Sequence, residues 1–143
     1  RSQADFLNYK KEEVERFKKM IDFEKEEWIL ELLNVLNLFE KAESNMKEQD
    51  SKHSVIEGFV QIKKYFEDFL IRQGVKEIKS EVGKVFNPHY EEVIETVEDN
   101  EKEEGTIVDI IQKGYLFKQR VIRPAHVRVT KKSINNNNNN NNN

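Results

Sequence analysis

Apolar residues recur at helical spacing through the first half of the chain and gather into short β-branched clusters through the second. Up to about Gln73 there is no proline, and the only glycine is Gly58, a pattern that predicts two long helices. In the first helix the stripe is thin at the start: Phe6, Val14, Phe17, Met20 and Ile21 stand among Lys and Glu. A stripe that narrow suits a two-helix contact with most of the surface in water. Beyond Phe23 it widens, with Trp28, Ile29, Leu32, Leu33, Val35, Leu36 and Phe39 at spacings of three and four, as inside a bundle. Residues 43–52 are polar without periodicity and read as a linker. Ser54 and Glu57 then fit a capping box, followed by the stripe Val55, Phe59, Ile62, Phe66, Phe69 and Leu70, with Gly74 placed to end the helix. Two such helices do not close a core, whereas two copies of each make four. The pattern predicts a homodimer joined through a four-helix bundle, with Trp28, Ile29, Leu32, Leu33, Leu36, Phe39, Phe59, Ile62, Phe66 and Phe69 as dimerisation residues.

From Gly74 onward the texture changes to isolated glycines, two prolines and many Val and Ile. Strands are expected at residues 75–78, 93–97, 106–111, 115–117, 121–123 and 127–129, with a turn at Asn87-Pro88. That many short strands in so few residues suggest a small, mostly antiparallel sheet or half-open barrel. The fold class is therefore α+β: residues 1–74 form the dimerising arm and bundle helices, residues 75–132 a small β-domain, and residues 133–143 a disordered or artefactual asparagine tail.

Composition and charge add four constraints. The 143 residues are 36% hydrophobic and 36% charged, more polar than an average domain, which favours a core completed by a second copy. There is no cysteine, so disulfides and thiolate chemistry are excluded. No apolar run approaches the length of a membrane span, and no signal peptide is expected. With a net charge of −3, nucleic acid is not expected as a partner. The charge is nonetheless uneven. Residues 91–104 hold eight acids and one base; residues 112–132 hold Lys113, Lys118, Arg120, Arg123, Arg128, Lys131 and Lys132 and no acid. Either the two stretches neutralise each other across neighbouring strands, or the bases present a docking face to an acidic partner.

Catalytic chemistry finds little support. His53, His89 and His126 lack the spacing that places two ligands on one helix face, so no metal is expected. His89 near Glu91 and Glu92 reads as a solvated turn. The glycines occur singly, without a phosphate loop or nucleophile elbow, and the carboxylates sit in polar surroundings. An enzyme is not expected. Gly58 inside a helix costs about 0.5–1 kcal/mol relative to alanine, and reads either as tolerated or as a point of close approach by another helix or a partner.

Between Gly114 and Val129 the chain reads Gly-Tyr-Leu-Phe-Lys-Gln-Arg-Val-Ile-Arg-Pro-Ala-His-Val-Arg-Val. This resembles the C-terminal signature of the GrpE family, nucleotide exchange factors of DnaK-type heat-shock chaperones. Phe86-Asn87-Pro88 resembles the family's Phe-Asp-Pro, and residues 103–108 its Glu-x-Gly-Thr-Val-Val. Residues 4–10, residues 32–42 and Glu57-Gly58 resemble its helices. Departures are Asn34 for a proline, Glu91 and Val93 for a histidine and an alanine, and Gln119 for an aspartate. The resemblance implies a homodimer whose β-domain docks on the chaperone's nucleotide-binding domain and releases ADP, with no cofactor. It implies chaperone-contact roles for Arg120 above all, for Ile111, Lys113, Gly114 and Tyr115 on the adjoining hairpin, for Arg123, Val127 and Val129, and for Gly58. It further implies a bacterial cytoplasm, with a mitochondrial or plastid matrix as alternative. The competing reading is a dimeric scaffold whose β-module binds an unrelated acidic partner.

Overall fold

The computed structural model describes residues 2–133; the asparagine tail lies outside the described residues. The chain divides at Gln73 and Gly74 into two compact units, one helical and one of strands.

Helix α1 runs unbroken over Gln3–Glu48, 46 residues and about 69 Å at 1.5 Å per residue. It absorbs both textures of the sequence and most of the expected linker. Residues 43–48 are polar but contain good helix formers and no Gly or Pro, so lack of an apolar stripe was no reason to break the helix. The helix ends where Asp50 turns left-handed (φ 49°), letting the Ser51 N–H reach the Met46 carbonyl at 3.0 Å. Helix α2, His53–Arg72, then starts one residue before Ser54, with Lys52 as its N-cap and no side-chain cap. The expected capping box is not formed; Glu57 instead reaches His53 at 2.9 Å. Gly74 (φ 99°) ends α2 as expected, in a conformation natural to glycine.

The hairpin of α1 on α2 buries Ile29, Leu33, Leu36 and Leu70, each worth about 1.5–3 kcal/mol of transfer. Phe39 sits between Phe59 and Phe66, at ring-centroid distances of 5.3 and 5.8 Å. Further along, the Lys63 ammonium donates to Glu43 at 2.6 Å, with Lys47 on the other carboxylate oxygen at 3.4 Å. This contact lowers the pKa of Glu43 and raises that of Lys63, the hydrogen bond being the largest cause for both.

The residues assigned to dimerisation therefore divide. Ile29, Leu33 and Leu36 are used by the chain's own hairpin, and Leu32, Phe39, Phe59 and Phe66 are half-buried in it. Trp28, Ile62 and Phe69 remain exposed, Trp28 at 73%. Exposed apolar residues continue along α1 at heptad spacing: Leu7, Val14, Ile21, Trp28 and Val35. Together with Lys25, Leu32, Phe69 and neighbours, Trp28 borders an apolar groove of about 550 Å³.

The β unit contains six strands: β1 (Val75–Glu77), β2 (Glu91–Glu98), β3 (Ile107–Gln112), β4 (Tyr115–Phe117), β5 (Arg120–Arg123) and β6 (Ala125–Lys131). They form two three-stranded sheets, ordered β1-β4-β5 and β2-β6-β3, in place of one sheet or half-open barrel. All pairings are antiparallel except β2 with β6, which run parallel. The intervening β3, β4 and β5 provide the long crossover that a parallel pair requires. β6 is the central strand of its sheet, and Ala125, Val127 and Val129 on one of its faces join Ile107 to form the core, with Phe86, Val93 and Ile110 against it. On the opposite face Thr130 is buried but satisfied: its hydroxyl donates to the Glu103 carbonyl at 2.7 Å and accepts from the Thr106 N–H at 3.1 Å. That pair pins the acidic loop to β6.

Candidate partner-docking site on the β4–β5 hairpin

The hairpin is built on Gly114. A Cβ there would lie 2.8 Å from the Pro124 carbonyl carbon and 2.9 Å from Ala125 Cα, and closer still to the Ala125 nitrogen. These are backbone atoms that cannot swing aside, so only glycine lets the start of β4 pass beneath the β5–β6 corner. The Gly114 carbonyl also accepts the Ile78 N–H at 2.8 Å. From this anchor β4 runs outward with Tyr115 and Phe117 buried, and β5 returns with Arg123 beside Tyr115 and Arg120 beside Phe117. The Arg123 guanidinium lies 5.2 Å from the Tyr115 ring centroid and donates to the Lys113 carbonyl at 3.2 Å. It thus ties β5 back to the β3–β4 connection.

Between β4 and β5 stand only Lys118 and Gln119, with φ of 48° and 72°. Two consecutive left-handed residues are the backbone of a type I′ hairpin turn, which favours Asn-Gly because each L-residue with a Cβ costs roughly 1–2 kcal/mol there. Lys118 is held from two sides: its N–H donates to the Gly74 carbonyl at 3.2 Å, and its ammonium sits 5.5 Å over the Phe117 ring.

Charge separates by sheet. β1, β4, β5 and the turn carry Lys76, Lys118, Arg120 and Arg123 against Glu77 alone. The other sheet carries Glu91, Glu92, Glu95, Glu98 and Asp109 against Arg128 and Lys131. There β2 lies beside β6 with Glu95 facing Arg128 and Glu98 facing Lys131, and Glu92 is 3.6 Å from His126. Lys132 is taken up by the carbonyls of Asn100 and Lys102. The neutralising reading of the charge runs holds for one sheet. The bases of β6 and after it are matched by β2 and the acidic loop, while the basic character of the hairpin is carried on its own sheet.

The sequence-derived contact residues fall into three groups. Arg120, Lys113 and Ile111 are exposed, and Arg123 is half-buried. Gly114, Tyr115, Val127 and Val129 are buried. Gly58 is exposed in α2, and a Cβ added to it would meet nothing within 4 Å. Packing inside this chain is therefore not the reason for that glycine. In the sequence Lys118 stands only among the bases of residues 112–132 and Gln119 only as a departure from the family pattern; the left-handed backbone of their turn needed the structure to be seen. Among the described residues no cluster of His, Asp and Glu could hold a metal, and no helix is long and apolar enough to cross a membrane.

A helical hairpin with exposed apolar residues at heptad spacing, followed in sequence by a small two-sheet unit with a basic hairpin, makes an α+β chain. Comparison supplies the family. The GrpE family model matches residues 1–131, and the chain belongs to the GrpE family. It is 36% identical over 131 residues to Protein GrpE of Oceanobacillus iheyensis, 34% to that of Parageobacillus thermoglucosidasius and 35% over 132 residues to that of Fusobacterium nucleatum. Each alignment covers 92% of this chain, which spans 68%, 58% and 65% of those relatives' own lengths.

Proposed function

We infer that the chain acts as a homodimeric nucleotide exchange factor, a co-chaperone that docks its β unit on the nucleotide-binding domain of a DnaK-type chaperone. Docking opens the cleft and speeds ADP release. The observation that carries the reading is the family's C-terminal signature folding into a basic, exposed hairpin tip, with Arg120 at its end. No bond is made or broken in this mechanism. The factor binds the open, nucleotide-poor form of the chaperone better and shifts that equilibrium by the difference in affinity. Arg120, Lys113 and Ile111 supply the contact, Arg123 stiffens the hairpin, and Gly114, Tyr115, Val127 and Val129 hold its shape.

Dimerisation is supported by the seam on α1. With Leu7, Val14, Ile21 and Trp28 at heptad position a, position e holds Lys11, Lys18 and Lys25, and Glu13 and Glu27 fall at position g. In a parallel, in-register pair Glu13 faces Lys18 of the second copy; an antiparallel pair would set Lys against Lys. Trp28, Ile62 and Phe69 then complete a four-helix core with their counterparts. A bacterial cytoplasm is the compartment that fits this role.

Linkage gives the test. If the factor promotes nucleotide loss, nucleotide must weaken the factor's binding by the same ratio. Titrating the protein onto a DnaK-type nucleotide-binding domain, with and without ADP, is expected to show tight binding only without nucleotide. Equal affinity in both conditions, or none in either, would refute the reading.

A further inference from the structure

We propose that Lys118 is a recognition residue alongside Arg120, kept in a left-handed turn for its charge, and that the pair reads a cluster of carboxylates on the partner protein. The inference rests on the docking role given above and names a contact that role does not include.

Three observations converge on it. Lys118 and Gln119 both occupy left-handed backbone in a two-residue loop, where Asn-Gly would fold at lower cost. Strained backbone that persists at an exposed tip points to a use for the side chains it carries. Lys118 is also pre-positioned: its backbone N–H is fixed on the Gly74 carbonyl, and its ammonium lies 5.5 Å from the Phe117 ring centroid. A side chain already held in place has less freedom to lose on binding. Finally, Phe117 and Arg120 are directly paired, so Lys118 and Arg120 leave the hairpin only two residues apart, at the end of a sheet with four bases and one acid. Two cations there suit a paired acidic surface better than a single carboxylate.

The competing role is packing alone. Lys118 Cγ lies 3.5 Å from where a Cβ on Gly74 would be, and the stem covers Phe117, which is 2% exposed. Lys118→Met separates the two roles, because it keeps an apolar stem and removes the charge.

The experiment compares the wild-type chain of 143 residues with Lys118→Met, Lys118→Arg, Arg120→Glu and the double variant Lys118→Asn with Gln119→Gly. Each is titrated onto a nucleotide-free DnaK-type nucleotide-binding domain at low and raised salt, and its melting is followed in parallel. Lys118→Met is expected to bind about fivefold more weakly, mostly through slower association, with the deficit shrinking as salt rises. Lys118→Arg is expected to restore binding. The double variant is expected to melt higher than wild type, as its turn relaxes, and still bind weakly. If wild type binds and Arg120→Glu does not, while Lys118→Met matches wild type at both salts, the inference is overturned and the docking role stands. If wild type itself does not bind, the docking role fails.

Discussion

Substituting Gly114 by alanine is expected to unfold the β unit at lower temperature while sparing the helices. The new methyl would press on the backbone of Pro124 and Ala125, with contacts at 2.8 and 2.9 Å that no side-chain rotation can relieve. Forcing a methyl into a packed site costs about 1–3 kcal/mol. The same displacement would stretch the Ile78 N–H to Gly114 carbonyl hydrogen bond, 2.8 Å in the native chain, worth about 1 kcal/mol. The combined loss is about 2–4 kcal/mol, and a domain of this size moves by roughly 4–8 °C per kcal/mol. The β unit should therefore melt more than 8 °C lower, on the order of 10–20 °C. Methyl NMR resolves the two units: Val127 and Val129 report the β core, and Leu33 and Leu36 the helical hairpin. Loss of the valine signals well before the leucine signals is the expected outcome. Wild-type melting of Val127 and Val129 in the variant would refute the close-approach reading of Gly114.

Four further outcomes follow from the helical unit. Leu33→Ala is expected to cost about 2–5 kcal/mol of hairpin stability, since Leu33 is fully buried within one chain, as read by denaturant unfolding at fixed concentration. Trp28→Ala should spare the hairpin yet weaken the dimer at least tenfold in sedimentation equilibrium; an unchanged dimer constant would remove Trp28 from the seam. For the Glu43–Lys63 pair, the lowered carboxylate pKa gives stability that is present above about pH 4.3 and lost as pH falls through the folded value. The raised lysine pKa gives stability complete below about pH 10.4 and lost as pH rises through its folded value. The difference in unfolding midpoint between wild type and Glu43→Gln should thus be flat between those limits and shrink outside them; a difference that peaks in acid would contradict the assignment. Gly58→Ala should raise helix stability by about 0.5–1 kcal/mol, because the methyl meets nothing in this chain, while slowing ADP release if another chain approaches there. A variant with both higher stability and full exchange activity would make Gly58 a tolerated accident.

The sequence made local features legible and left non-local ones hidden. The stripe through Trp28 to Phe39 and the glycine stop at Gly74 located the helices, because both signals lie within a few residues. Residues 43–48 read as linker in the sequence because a helical stretch that is polar on most sides has no apolar period to display. The capping box at Ser54 is not formed because α2 begins at His53 with Lys52 as its N-cap, two residues ahead of the expected cap. The parallel pairing of β2 with β6 joins residues more than thirty positions apart, and nothing in either strand encodes direction. At the site, Arg120 was readable from the family signature. The matched charge of Arg128 and Lys131 and the strained turn at Lys118 needed the sheet register to be seen. Gly114 was legible only as an isolated glycine; its reason is a backbone contact with a corner ten residues away.

The most direct test of the account is release of a fluorescent ADP analogue from a DnaK-type chaperone, followed by stopped flow as this protein is added. Wild-type dimer is expected to accelerate release in a saturable way, and Arg120→Glu, at matched dimer concentration, to need far more protein for the same rate. Release that stays at its spontaneous rate with a folded wild-type dimer and its cognate chaperone would contradict the account.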